Sequence, residues 1–136
     1  MSQPFLLGIL GGMGPLATLD LQHKLLRATP ASSDQQQIPH VVWNVPQIAD
    51  RQSALAGRGP SPLPQLLYGV AQLNRVGVSH IVIACNTAHH WYNELAQHSA
   101  APLLHIADAT LAALETKPAR VGLIATQGTL EAGWFQ

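Results

Sequence analysis

His80-Ile81-Val82-Ile83-Ala84-Cys85-Asn86-Thr87-Ala88-His89 is the stretch on which the fold turns. Ile81, Val82 and Ile83 are β-branched in succession and, with Ala84, read as a short strand buried on both faces of a parallel sheet. The run stops at Cys85, the only cysteine in the chain. Asn86 and Thr87 are residues that cap helices, so a helix is expected to start here and run to about residue 97. A thiol between a strand's carboxyl end and a helix start meets unpaired N–H groups, which favour thiolate. Most lone cysteines are inert core residues. The position argues for a site, because open α/β sheets bind ligands at the carboxyl ends of their strands.

Working outward, Phe5-Leu6-Leu7-Gly8-Ile9-Leu10 predicts a first strand, left through the tight turn Gly11-Gly12-Met13-Gly14-Pro15. Pro15 suits the first helical position, and Ala17, Leu21 and Leu25 recur at helical spacing over 16–29. A second strand is expected over 40–45. The segment Gln47 to Pro64 holds Arg51, Arg58 and three prolines, and a connection of that length inside an α/β unit is commonly a functional lid. Leu66, Leu67, Val70 and Leu73 predict a helix to Val76 with Gly77 as its C′ residue. A fourth strand is expected over 103–106, a helix over 108–116, and a fifth strand over 120–125. Strand and helix alternate throughout, which predicts a parallel sheet with right-handed crossovers and helices on both faces.

The composition excludes several function classes. Of the 136 residues, 10 % are charged and Lys plus Arg equals Asp plus Glu, so no basic field attracts nucleic acid or an anionic membrane surface. So few charges on a chain that is 47 % apolar suggest a surface partly covered by a partner subunit or by missing chain, and a homo-oligomer is expected. A single cysteine fits a reducing cytoplasm. Residues 1–14 lack the basic start of a signal peptide. No apolar run reaches the roughly 20 residues that span a bilayer.

Gly12-x-Gly14-x-x-Ala17 fits a dinucleotide fingerprint, but the second strand ends Asn44-Val45-Pro46 without the acidic residue that holds a ribose. A bare βα turn and a cradle for a small carboxylate are the other readings of these glycines. The seven histidines form no H-E-x-x-H or Cys/His cluster, and no metal site is expected. There is no P-loop and no G-x-S-x-G elbow. Arg51 suits a bidentate carboxylate clamp, or an ordinary surface arginine.

Five motifs in order carry a family resemblance: Gly11-Gly12-Met13-Gly14-Pro15-Leu16-Ala17-Thr18; Ile48-Ala49-Asp50-Arg51; Ala84-Cys85-Asn86-Thr87-Ala88-His89; His105-Ile106-Ala107-Asp108-Ala109-Thr110; and Val121-Gly122-Leu123-Ile124-Ala125-Thr126-Gln127-Gly128-Thr129. They resemble the aspartate/glutamate racemase family, in its aspartate racemase branch. The resemblance implies a flavodoxin-like α/β fold and an isomerase without a cofactor, acting on a small amino acid, aspartate or glutamate. Two cysteines, one from each of two similar domains, would face the α-carbon from opposite sides. By motif, Cys85 is the first acid/base, and Asn86 and Thr87 bind the α-carboxylate or amine. Arg51, with Gln52, reaches the side-chain carboxylate, Met13 lines the pocket, and Thr126 and Thr129 face the cleft from the second domain. The family's second cysteine, in a Gly-Cys-Thr-Glu motif, and its second-domain lysine are absent from these residues. Residues 1–106 are therefore expected to form the first racemase domain, and 107–136 a crossover helix and first strand of a truncated second one. The alternative is a non-catalytic acidic-amino-acid-binding domain that works through association.

Overall fold

The computed structural model describes residues 4–114 and 120–136. Four parallel strands, β1 (Leu7–Gly11), β2 (His40–Asn44), β3 (His80–Ile83) and β4 (Leu103–Leu104), pair in the order β2-β1-β3-β4. That order, with the first strand inside the sheet, is the flavodoxin-like arrangement expected. Every residue of β1 is buried, as a central strand requires.

The register assigns the faces. Gly8 and Leu10 align with Ile81 and Ile83, and Ile81 aligns with Leu103. This face is covered by α3 (Leu63–Val76), whose Leu66, Val70 and Leu73 are fully buried, and by Leu95 of α4 (Tyr92–His98). A side chain at Gly69 would strike Leu10 at 2.6 Å and Trp43 at 3.0 Å, so glycine sets how closely α3 approaches the sheet. Leu7, Ile9, Val82 and Leu104 point the other way, where α1 (Pro15–Ala28) and α5 (Ile106–Ala112) lie.

Most element boundaries match the expectation. Pro15 opens α1 and Gly77, at φ 79°, closes α3. Several elements differ. Strand β4 ends at Leu104 and α5 begins at Ile106, so the strand expected to 106 is shorter and the helix expected from 108 starts earlier. Helix α3 starts a turn early, at Leu63, because Pro64 sits in the first turn, where it interrupts no bond. The chain after Cys85 enters a 3-10 turn, Thr87–Trp91, before α4, and Asn86 makes no side-chain cap. The expected fifth strand does not form. Residues 120–126 carry no regular structure, Val121 is 65 % exposed and Ile124 fully so, and the segment pairs with none of the four strands. Without a neighbour its N–H and C=O groups have no ladder to join. Helix α6 (Gln127–Ala132) follows, starting from Thr126. The end of the helix expected over 108–116 lies outside the described residues. Among the described residues no helix is long and apolar enough to cross a membrane.

Candidate active site

The glycine turn after β1 is shaped by close approach. Gly12 has φ 97°, and a Cβ there would lie 2.4 Å from the backbone of Val45. The Gly12 N–H donates to Thr18 Oγ1 at 2.9 Å, and that hydroxyl donates to the Gly14 carbonyl at 3.1 Å. The donor that a phosphate cradle would present is thus held inside the turn, which weighs against the dinucleotide reading. The turn also buries Met13 and sets it in the wall of a cavity of about 580 Å3, within the usual range for small-molecule sites.

At the sheet's carboxyl end this cavity is lined by Met13, Cys85, Asn86, Thr87 and Thr126. Cys85 follows β3 directly and is half-buried. The Ala84 N–H donates to the Leu10 carbonyl at 2.9 Å, which fixes where the strand ends. Farther along, the wall is Ala17 and Leu21 of α1, Val82 and Leu104 of the sheet, and Ile106 and Ala109 of α5. The exposed pair Asp20 and Lys24 on α1 stands at the rim. Its sequence signal is opposite charges four residues apart, which ordinarily marks a solvated helix face.

Arg51, Gln52 and Thr129 are not in the cavity wall. Arg51 opens α2 (Arg51–Leu55), and its Nη1 donates to the carbonyls of Ile48 and Ala49 at 3.2 and 3.0 Å. Its Nε is buried with no partner among the described residues. Asp50 caps this short helix, accepting from the Ser53 N–H at 2.7 Å, and that bond holds its carboxyl below the usual value. Gln52 links three elements. Its Nε2 donates to Thr87 Oγ1 at 3.1 Å, and its Oε1 accepts from the Gly128 N–H at 3.2 Å. Thr87 Oγ1 also lies 3.0 Å from Thr126 Oγ1 and 3.5 Å from Thr129 Oγ1, and the last two hydroxyls are 3.1 Å apart. The structure therefore brings Gln52, Thr87, Thr126 and Thr129 together as one hydrogen-bonded group, with Thr129 only 1 % exposed. A Cβ at Gly128 would meet Leu55 at 2.7 Å, so glycine lets α6 pack against α2.

His89 was legible only as part of a motif, yet it is buried in the cavity wall. Its Nδ1 lies 2.9 Å from the Cys85 carbonyl and 3.2 Å from that of Asn86, while the Ile106 N–H donates to Nε2 at 3.2 Å. The His105 ring stands edge-on at 4.9 Å. Burial holds His89 below its ordinary value and His105 adds to this, against the carbonyls of Cys85, Asn86 and Leu104, which favour the charged form. The available signal was the i,i+4 spacing from Cys85.

Residues 10–136 match the family model described as Asp/Glu/Hydantoin racemase. A broad-specificity amino-acid racemase of Bacillus subtilis is 27 % identical over 143 aligned residues, covering 96 % of this chain and 59 % of that protein. Among solved structures, an aspartate racemase of Picrophilus torridus superposes with a TM-score of 0.86 at 33 % identity, over 97 % of this chain and 57 % of that one. An aspartate racemase homologue from Pyrococcus horikoshii gives 0.64 at 20 % identity over 80 % of this chain and 48 % of that one, a likeness of fold. The chain thus spans somewhat over half the length of the first two proteins.

Proposed function

The chain belongs to the Asp/Glu/hydantoin racemase family, and from that premise we propose that it carries one half of a cofactor-independent racemase site for an acidic amino acid. The observation that carries this reading is the convergence of Cys85, Asn86, Thr87 and Thr126 on one cavity at the sheet's carboxyl end. In the proposed reaction the Cys85 thiolate takes the α-proton. The Cα–H bond breaks, an S–H bond forms, and the electron pair passes into the adjoining carboxylate. A thiol on the opposite face then gives its proton to Cα and is left as thiolate, so the pair ends with its protonation states exchanged.

Asn86 and Thr87 bind the α-carboxylate or amine, where hydrogen-bond donors stabilise the charge that develops during proton removal. Arg51 and Gln52 serve the side-chain carboxylate. Arg51 would have to exchange its bonds to Ile48 and Ala49 for the substrate, and its unpartnered Nε supplies a donor for that exchange. Residues 1–106 form the first domain and 107–136 the beginning of a second on this reading.

One cysteine is encoded in the 136 residues, and inversion by two bases needs a group on each face. The chain by itself is therefore proposed not to racemise. Incubation with L-aspartate in D2O tests this. The expected result is no D-aspartate; its appearance at a rate that depends on Cys85 would overturn the single-thiol account, and a steep dependence on protein concentration would assign the second thiol to another copy. Self-association through exposed apolar residues such as Val121 and Ile124 is part of the same proposal.

A further inference from the structure

We propose that His89 is a positioning residue for Cys85: in one neutral tautomer its imidazole clamps the turn after β3 to the start of α5 and so aims the Cys85 thiol and Asn86 amide into the cavity. The inference rests on the functional reading above. The ring is hydrogen-bonded to two carbonyls through one nitrogen and to an N–H through the other, and the Leu104 carbonyl adds a weaker pull toward the charged form. Nδ1 faces the oxygens of Cys85 and Asn86, and Nε2 accepts from Ile106 N–H. One neutral tautomer satisfies these three bonds, with the proton on Nδ1 and the lone pair on Nε2. Protonating Nε2 would turn a donor toward the Ile106 N–H and place a charge in a site only 2 % exposed.

The clamp acts at the residue that matters. Its anchor is the carbonyl of Cys85 itself, whose side chain lines the cavity, and the next residue, Asn86, lines it too. The opposite anchor, Ile106, begins α5, the helix that forms the far wall. The titratable groups facing the ring are His105 at 4.9 Å between centroids and Tyr92 stacked at 6.4 Å, while Cys85 meets it through its backbone carbonyl. Tyr92 is held by its own bond to the Leu103 carbonyl, and His105 accepts the Ala107 N–H on Nδ1. Among the described residues no carboxylate pairs with His89. Among the described residues only backbone oxygens favour the charged form.

The test compares alkylation of Cys85 by iodoacetamide across pH in the wild-type chain, His89→Phe and His89→Asn. Phenylalanine fills the space without polar atoms, whereas asparagine returns a donor near the position of Nδ1. The expected result is a change in rate of roughly tenfold in His89→Phe, the scale of one hydrogen bond, with a shifted pH profile, and substantial recovery in His89→Asn. A folded His89→Phe chain with the wild-type profile would overturn the proposal, even if its melting temperature fell. Should that variant not fold, the wild-type imidazole decides by nitrogen NMR. A protonated Nδ1 beside an unprotonated Nε2 at neutral pH supports the clamp, and the opposite tautomer or an imidazolium overturns it. Loss of protection of wild-type Cys85 by aspartate would count against the functional reading alone, since the reactivity and tautomer results do not depend on a substrate.

Discussion

The Thr87 hydroxyl lies 3.0 Å from that of Thr126, 39 residues further along the chain. Because Thr87 also accepts from Gln52, this contact joins the turn after β3 to α2 and to the start of α6. The segment 120–126 makes no ladder bonds, so these side chains are a principal tether of α6 to the sheet domain.

Thr87→Val keeps the shape and removes the shared oxygen. It is expected to destabilise the chain by about 1–3 kcal/mol, the cost of leaving buried partners unpaired. In a double-mutant cycle with Thr129→Val by urea unfolding, a coupling of about 0.5 kcal/mol or more is expected. Strict additivity would mean that the hydroxyl group does not act as a unit.

Gly12→Ala is expected to lower the melting temperature clearly. It forces φ 97° on a residue with a Cβ and drives that atom into the Val45 backbone, a strain of at least about 1–3 kcal/mol. An unchanged melting temperature would contradict this account of the turn.

Stability should fall as the solution is acidified from about pH 6.5, the ordinary histidine value. His89 is held lower in the folded chain, so the unfolded chain binds the proton first. Stability is therefore full above the unfolded value, declines as pH falls, and levels off below the folded one. Urea unfolding at a series of pH values, repeated on His89→Asn, checks this. The variant should lose that part of the slope, and an identical slope would assign it to other groups.

Arg51→Ala should weaken aspartate binding at least roughly tenfold more than alanine binding, the scale of about 1.4 kcal/mol of carboxylate selectivity. Calorimetric titration of both ligands measures it. Equal loss for the two would make Arg51 a structural residue that holds the Ile48 and Ala49 carbonyls.

What was legible in the sequence was whatever local chemistry dictates. Short apolar runs mark the strands, Ile81-Val82-Ile83 most clearly, Pro15 and Gly77 mark helix ends, and Cys85 stands at the end of its strand. Three features were not legible, because each depends on groups distant in sequence. The stretch 120–125 has strand composition, but composition cannot supply a neighbouring strand, and it forms none here. Asn86 and Thr87 looked like caps until the fold brought Thr126 within reach of the Thr87 hydroxyl. His89 looked like one of seven histidines until the Ile106 N–H, 17 residues later, met its ring.

Protection of Cys85 from alkylation tests the central claim most directly. With the modified fraction read by mass spectrometry, aspartate should slow iodoacetamide labelling of Cys85 in a saturable way, while alanine acts weakly and NADH not at all. A labelling rate indifferent to aspartate, or slowed equally by NADH, would contradict the assignment of this cavity as half of an acidic-amino-acid racemase site.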